Sequence, residues 1–217
     1  MNILAIDTSS NSCSVAIQYQ GEIKTSCQIA PMQQAQLILP MINELLNHFD
    51  IKLEHLNAIA FACGPGSFTG LRIAASVAQG LAYAASLPVV PISSMAALAQ
   101  SVYLEKQCQD VLITLDARTD QIYWSIYQAK AGYMVLLGEE GVCKPEGVIL
   151  SSCSPQHVIG DAWTKYHARL IKSLGYSPQF IQSLTIPTAK SVLFLSEQKL
   201  KAHNWVSAFD AMPIYLR

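Results

Sequence analysis

Along the first thirty residues apolar positions alternate or run in short blocks, which is the signature of strands. Residues 2–7 form an apolar block that ends in Asp7-Thr8-Ser9-Ser10. Residues 12–19 alternate, Gln20-Gly21 supplies a hairpin turn, and residues 22–29 return. After Pro31 the period lengthens to that of a helix, over about 33–49. There Leu37, Leu39, Met41, Ile42, Leu45 and Leu46 cover a broad apolar arc, with Pro40 inside it. The apolar block 58–63 predicts a buried strand. A helix over about 67–86 follows, capped by Ser67 or Thr69, then a strand at 88–92 and a helix from Ser93-Ser94 to about 104. The pattern then restarts with strands. Residues 110–116 and 121–128 flank the turn Ala117-Arg118-Thr119-Asp120, and a β segment at 133–137 precedes a loop-like stretch, 141–150. An extended segment at 155–159 and helices at about 164–174 and 188–203 complete the chain. The order predicts an α/β protein of two sheet-based subdomains, residues 1–105 and 106–217, the second reduced in size.

Charge changes this picture more than composition does. The chain has 217 residues, enough for a sizeable core, and 51% of them are apolar. Only 13% are charged, against roughly a quarter in an average domain. The deficit is local. Between Gly64 and Leu104 the only Asp, Glu, Lys or Arg is Arg72, and none occurs from Thr25 to Asn43. A surface helix of a monomer carries a polar face; these two helices have almost none. In the second of them Ala74, Ala78, Ala82 and Ala85 make a stripe of small residues that lets backbones approach closely. Burial inside the chain's own fold explains such a stripe, and so does a helix from another subunit. The two neutral helices together favour an oligomer interface. Its candidate residues are Gln34, Leu37, Ile38 and Met41 on the first helix, and Gly66, Ser67, Thr69, Arg72, Ala74, Ala75, Ala78 and Ala82 at and along the second. Arg72 faces either an anion, a partner's carboxylate or an acid of its own chain.

The chemistry-bearing residues are sparse. Asp7-Thr8-Ser9 ends a strand, and Asp116 ends another in the second half, before Ala117-Arg118. Paired acid turns of this kind hold metal and phosphate in cleft-binding ATPases; each alone is more often a structural turn. The further turn needed for adenosine has only Gly160-Asp161 as a candidate, so nucleotide binding is expected to be weak or lost. The loop Gly64-Pro65-Gly66-Ser67-Phe68-Thr69-Gly70 suits phosphate or close backbone packing, but it lacks the lysine and the spacing of a P-loop. Five histidines show no zinc spacing, and six scattered cysteines without a Cys-x-x-Cys pair read as reduced thiols of a cytoplasmic protein. The first residues do not form a signal peptide, and the longest apolar run, 73–87, is too short and too polar to span a membrane. A net charge of −1 gives no global field for nucleic acid, and Lys199, Lys201 and His203 read as a solvated helix face.

Four segments carry a resemblance that covers the chain: Ile3-Leu4-Ala5-Ile6-Asp7-Thr8-Ser9, Gly64-Pro65-Gly66-Ser67-Phe68-Thr69-Gly70-Leu71-Arg72-Ile73, Leu115-Asp116-Ala117-Arg118 with Gln121-Ile122-Tyr123, and Pro213-Ile214-Tyr215-Leu216-Arg217. They resemble the bacterial TsaB (YeaZ) family. The resemblance implies an actin/Hsp70/sugar-kinase-like fold and a non-catalytic role beside a paralogous transferase, TsaD, with the ATPase TsaE as a further partner. The implied function is synthesis of threonylcarbamoyladenosine (t6A) next to the anticodon of tRNAs that read codons beginning with adenine. It implies pairing with TsaD through the two neutral helices, a homodimer when alone, contact with tRNA only through the complex, and no cofactor. The paralogue carries a His-x-x-x-His metal pair; the corresponding positions here are Ser94 and Leu98, which cannot replace imidazole. Gln34 departs from the family, where many relatives have His. A stand-alone small ATPase or glycoprotease-like hydrolase using Asp7 and Asp116 is the alternative expectation.

Overall fold

The computed structural model describes residues 1–150, 153–181 and 186–216; Arg217 of the terminal motif lies outside them. The chain divides into two compact units. One comprises Met1–Ala97 with Ile186–Ile214, the other Leu98–Thr185 with Tyr215–Arg217.

In the first unit, β1 (Ile3–Asp7), β2 (Ser12–Tyr19) and β3 (Glu22–Ile29) form an antiparallel meander. Helix α1 (Gln34–His48) then leads to β4 (Ala58–Gly64), which lies parallel to β1. Helix α2 (Phe68–Ala85) leads to β5 (Val89–Ser93), parallel to β4. The sheet order is β3-β2-β1-β4-β5. Buried on both faces, β1 and β4 read as unbroken apolar runs rather than alternating ones. Leu4, Ile6, Ile59 and Phe61 point to the layer that contains Ile38, Met41, Ile42, Leu45, Ala74, Ala78 and Ala82. Ile3, Ala5, Ala58, Ala60 and Ala62 point to the other side. Pro40 stays inside α1, where it lies, like Gln36, on the exposed side, so that water can satisfy the Gln36 carbonyl its ring leaves unpaired.

The alanine-lined side is covered by the last helix, α5, which follows α3 (Ser94–Lys106) and α4 (Asp161–Leu174) in the chain and spans Ala189–Lys201. Its Ala189, Val192 and Leu193, spaced to share one face, fill the space the small sheet residues leave. The Ala189 amide donates to Ser14 Oγ at 3.0 Å. The expected division at 105/106 therefore differs from the observed one. Residues 186–214 belong with the first unit because Ala189, Val192 and Leu193 of α5 pack, with Ala97, on its second sheet face.

In the second unit, β6 (Asp110–Arg118), β7 (Gln121–Lys130) and β8 (Tyr133–Cys143) form a meander. Then β9 (His157–Ile159) pairs parallel with β6, and β10 (Gln179–Phe180) parallel with β9. The order β10-β9-β6-β7-β8 repeats that of the first sheet. Strand β8 runs on through 138–143, beyond the expected 133–137, with a break in register opposite Trp124–Ile126. Two mixed sheets of matching topology with flanking helices, the second unit reduced to very short fourth and fifth strands, make this an actin/Hsp70/sugar-kinase-like fold.

Candidate functional site

The end of β1 is a closed turn. The Asp7 Oδ1 accepts from both the Ser9 amide and the Ser9 hydroxyl, each at 2.7 Å. Asp7 and Thr8 are fully buried and Ser9 nearly so. The second Asp7 oxygen, Oδ2, is buried and has no hydrogen-bond partner. Burial pushes the Asp7 carboxyl up from 3.8 to about 6, against the lowering effect of the Ser9 bonds. The Gly64–Gly70 loop lies directly on this turn. The Ser67 amide donates to the Ser9 carbonyl at 2.8 Å, and the Thr8 hydroxyl donates to the Gly70 carbonyl at 2.7 Å. A Cβ on Gly66 would sit 2.5 Å from the Ser9 carbonyl oxygen, and one on Gly70 would overlap that of Thr8. The glycines thus serve close approach, and the Gly70 amide is taken by the cap Ser67 Oγ at 3.3 Å. Thr8, Ser9 and the loop satisfy one another.

The end of β6 is built differently. Asp116 Oδ1 accepts from the Arg118 amide at 3.1 Å, and Oδ2 meets Lys165 Nζ of α4 at 2.8 Å. The Asp116 amide donates to Asp161 Oδ1 at 2.8 Å. Asp161 is thereby occupied, and a Cβ on Gly160 would overlap the Thr114 carbonyl; the candidate adenosine turn packs on β6. Beside it, Arg169 of α4 forks onto Asp120 (Nη1 2.5 Å, Nη2 3.0 Å) and Glu146, holding both carboxyls below their usual range and its own guanidinium above. Among the described residues no group of three or more His, Cys, Asp or Glu could hold a metal ion. Ser94 and Leu98 are buried.

The neutral helices separate into an inner and an outer face. Ala74, Ala75, Ala78 and Ala82 are buried against the chain's own sheet, with Ile38 and Met41, and Leu37 packs half-buried on the same core. The small-residue stripe that pointed to a foreign helix therefore faces inward, where it lets α2 lie close to β4. Gln34 also turns in: its Nε2 donates to the Ser10 carbonyl at 3.0 Å, tying the start of α1 to the first acid turn. Of the expected interface residues, Gly66, Ser67, Thr69 and Arg72 are exposed. Thr69 and Arg72 line a groove of about 470 Å³ between α1 and α2, together with Ile38, Leu39, Phe68, Ile73, Ser76 and Val77. Leu39 and Phe68 are more than half exposed, and the Arg72 guanidinium lies over the Phe68 ring at 3.8 Å. Of this outer row, the interface expected from periodicity left out Leu39, Phe68, Ile73, Ser76 and Val77. A helix without charges has no polar face to mark which side looks outward. Lys165 and Arg169 had no sequence signal at all.

Comparison with known proteins decides the family. The family described as TsaD, tRNA N6-adenosine threonylcarbamoyltransferase, matches residues 26–204. The "tRNA threonylcarbamoyladenosine biosynthesis protein TsaB" of Haemophilus influenzae is 35% identical, with 100% of this chain and 94% of the relative covered. Its counterpart in Escherichia coli is 34% identical, with 100% and 95% covered. The chain belongs to the TsaB (YeaZ) family. A solved structure, YeaZ from Pseudomonas aeruginosa, superimposes with a TM-score of 0.91 at 36% identity, covering 99% of both chains. The relatives are named for tRNA threonylcarbamoyladenosine biosynthesis.

Proposed function

We propose that this chain is the non-catalytic partner of a TsaD-type transferase in making threonylcarbamoyladenosine in tRNA, next to the anticodon. It docks the transferase through the outer face of α1 and α2, and works in a complex with a TsaE-type ATPase. Alone, it pairs with a second copy through the same face. The observation that carries this reading is the apolar groove between two helices, with Leu39 and Phe68 exposed along it and Arg72 as the single charge of α2. The family match supports the reaction and the class of partner.

The acid turns support an accessory rather than a catalytic role. Asp7 is buried under the Gly64–Gly70 loop, and Asp116 is committed to Lys165 and to the Arg118 amide. Any nucleotide role of Asp7, Thr8, Ser9 and Asp116 is vestigial. With a net charge of −1, the chain meets tRNA through its partners. No helix among the described residues is long and apolar enough to cross a membrane. The proposed work on tRNA is cytoplasmic work.

The test mixes the chain with a TsaD-type transferase, a TsaE-type ATPase and tRNA. Ser76→Glu puts a charge on the outer face of α2 without touching the core, and both complex formation and tRNA modification are expected to be lost. Wild-type complex and modification in that variant would falsify the interface. Calorimetry of the lone chain with ATP and magnesium checks the other half: tight binding with turnover would replace the accessory reading with an enzymatic one.

A further inference from the structure

The exposed residues of α2 do not stop at the groove. Thr69, Arg72, Ser76, Gly80 and Tyr83 follow one another at steps of three and four, a continuous outer stripe about 21 Å long. At its far end Tyr83, 67% exposed, meets Phe209, 77% exposed, edge to face with ring centroids 5.4 Å apart. Gln79, one turn before Tyr83, donates through Nε2 to the Ala211 carbonyl at 3.0 Å and touches Met212 Sδ at 3.6 Å. Met212 is 61% exposed.

This apolar cluster is held in place. The segment after α5 is tied to the first unit at Val206, which exchanges two backbone hydrogen bonds with Val89 at 2.8 and 2.9 Å, and at Ile214, whose amide donates to the Cys63 carbonyl at 2.8 Å. Between those anchors Gln79 makes a third tie, and the short turn Ala208–Asp210 is closed by Ser207 Oγ donating to Asp210 Oδ2 at 2.6 Å. Phe209 and Met212 are thus presented by a pinned segment. Three large side chains held at the surface, two in ring contact and Met212 against Gln79, cost free energy in water unless a partner covers them.

The occupant follows from position and charge. A partner element laid along α2 over Ser76 and Gly80, whose small side chains allow close approach, reaches Tyr83 one turn later. The cluster carries one negative group, Asp210, beside the carbonyl end of α2, and α2 itself has no acid and no charge beyond Arg72. Its complement is an apolar surface with a cation at the rim. We infer that Tyr83, Phe209 and Met212 form a second anchor for the same TsaD-type transferase that occupies the α1–α2 groove, so that the footprint runs from Phe68 to the segment after α5. This rests on the proposed docking through α1 and α2.

The experiment measures affinity of the full chain for a purified TsaD-type transferase, with Phe209→Ala/Met212→Ala and Ser76→Glu as separate arms. The double variant is expected to bind ten- to a hundredfold more weakly, with wild-type circular dichroism and melting temperature. Met212→Glu, beside Asp210, gives an independent reading and is expected to weaken binding by at least tenfold. If the double variant binds within twofold of wild type while Ser76→Glu abolishes binding, the second anchor is wrong and the helix-face docking stands. If Ser76→Glu binds normally, the helix-face docking fails and the anchor with it. If sedimentation shows the double variant altered only in self-association, the cluster belongs to a second copy of the chain and the inference is overturned.

Discussion

The first sheet runs β3-β2-β1-β4-β5 and the second β8-β7-β6-β9-β10, each with a three-strand meander followed by two parallel strands. In both, an acid closes the first strand, and in both a glycine presses its backbone onto that strand's end or interior: Gly70 on Thr8, Gly160 on Thr114. What differs is how the acid is accommodated. The first unit invests in burial. Its β4 has seven buried residues, and an eighteen-residue helix returns over the Asp7 turn. The second has a three-residue β9, and its acids remain at the surface, held by Lys165 and Arg169. Desolvation raises the Asp7 carboxyl while Arg169 lowers those of Asp120 and Glu146, so the two units carry opposite responses to pH.

The largest effect should come from breaking the glycine contact. Gly70→Val forces a side chain into the Thr8 carbonyl and should cost at least about 3 kcal/mol, or prevent folding, as read by urea denaturation. Gly160→Val, where φ is +123° as well, should be comparably damaging to the second unit. If either is tolerated, the tight seat of that glycine is illusory.

Next comes Asp7. Its folded value lies above the unfolded one, so the native state retains the proton longer. The Asp7 contribution to stability is present below pH 3.8 and is lost as pH rises through about 6. That difference amounts to about 3 kcal/mol. Asp7→Asn removes the titration, so its stability relative to wild type should climb by about that amount between pH 3.5 and pH 7.5. A flat difference across that range would mean that Asp7 is not desolvated.

A third comparison lies within α2. Ala78→Leu overfills the inner face and should cost about 2 kcal/mol, whereas Ser76→Leu on the outer face should stay within about 0.5 kcal/mol. Equal costs would contradict the assignment of faces. The smallest effect is expected in the second unit. Arg169→Met should lower the melting temperature slightly at low salt, with the difference vanishing at high salt. Asp120 and Glu146 have lowered values, so their contribution is present above their unfolded values and is lost as pH falls through the folded ones. This is the reverse of Asp7.

Much of this was legible in the chain. The first five strands and α1, α2 and α3 follow from periodicity, from Gln20-Gly21 and from the Ser67 cap, all of them local signals. The acid turns were visible as Asp7-Thr8-Ser9 and Asp116, but their states were not. Whether an acid at a strand end is buried or paired depends on residues sixty or fifty positions away, Gly66 to Gly70 in one case and Lys165 in the other. The inward turn of Ala74, Ala78 and Ala82 was equally hidden. A stripe of small residues specifies a close neighbour without saying whether that neighbour is a strand of the same chain or a helix of another. The two-residue β10 is too short for any period to register.

The return of α5 to the first sheet splits the first unit in the chain, with most of the second unit, from Leu98, coming before α5. On the ribosome the early strands and α2 emerge well before the helix that covers their alanine-lined side. Until Ala189–Lys201 has left the exit tunnel, that side of β1 and β4 stays open to water and to other nascent chains. Premature termination anywhere in the second unit would therefore release a first unit lacking one whole layer, a species for chaperones and proteases rather than for assembly.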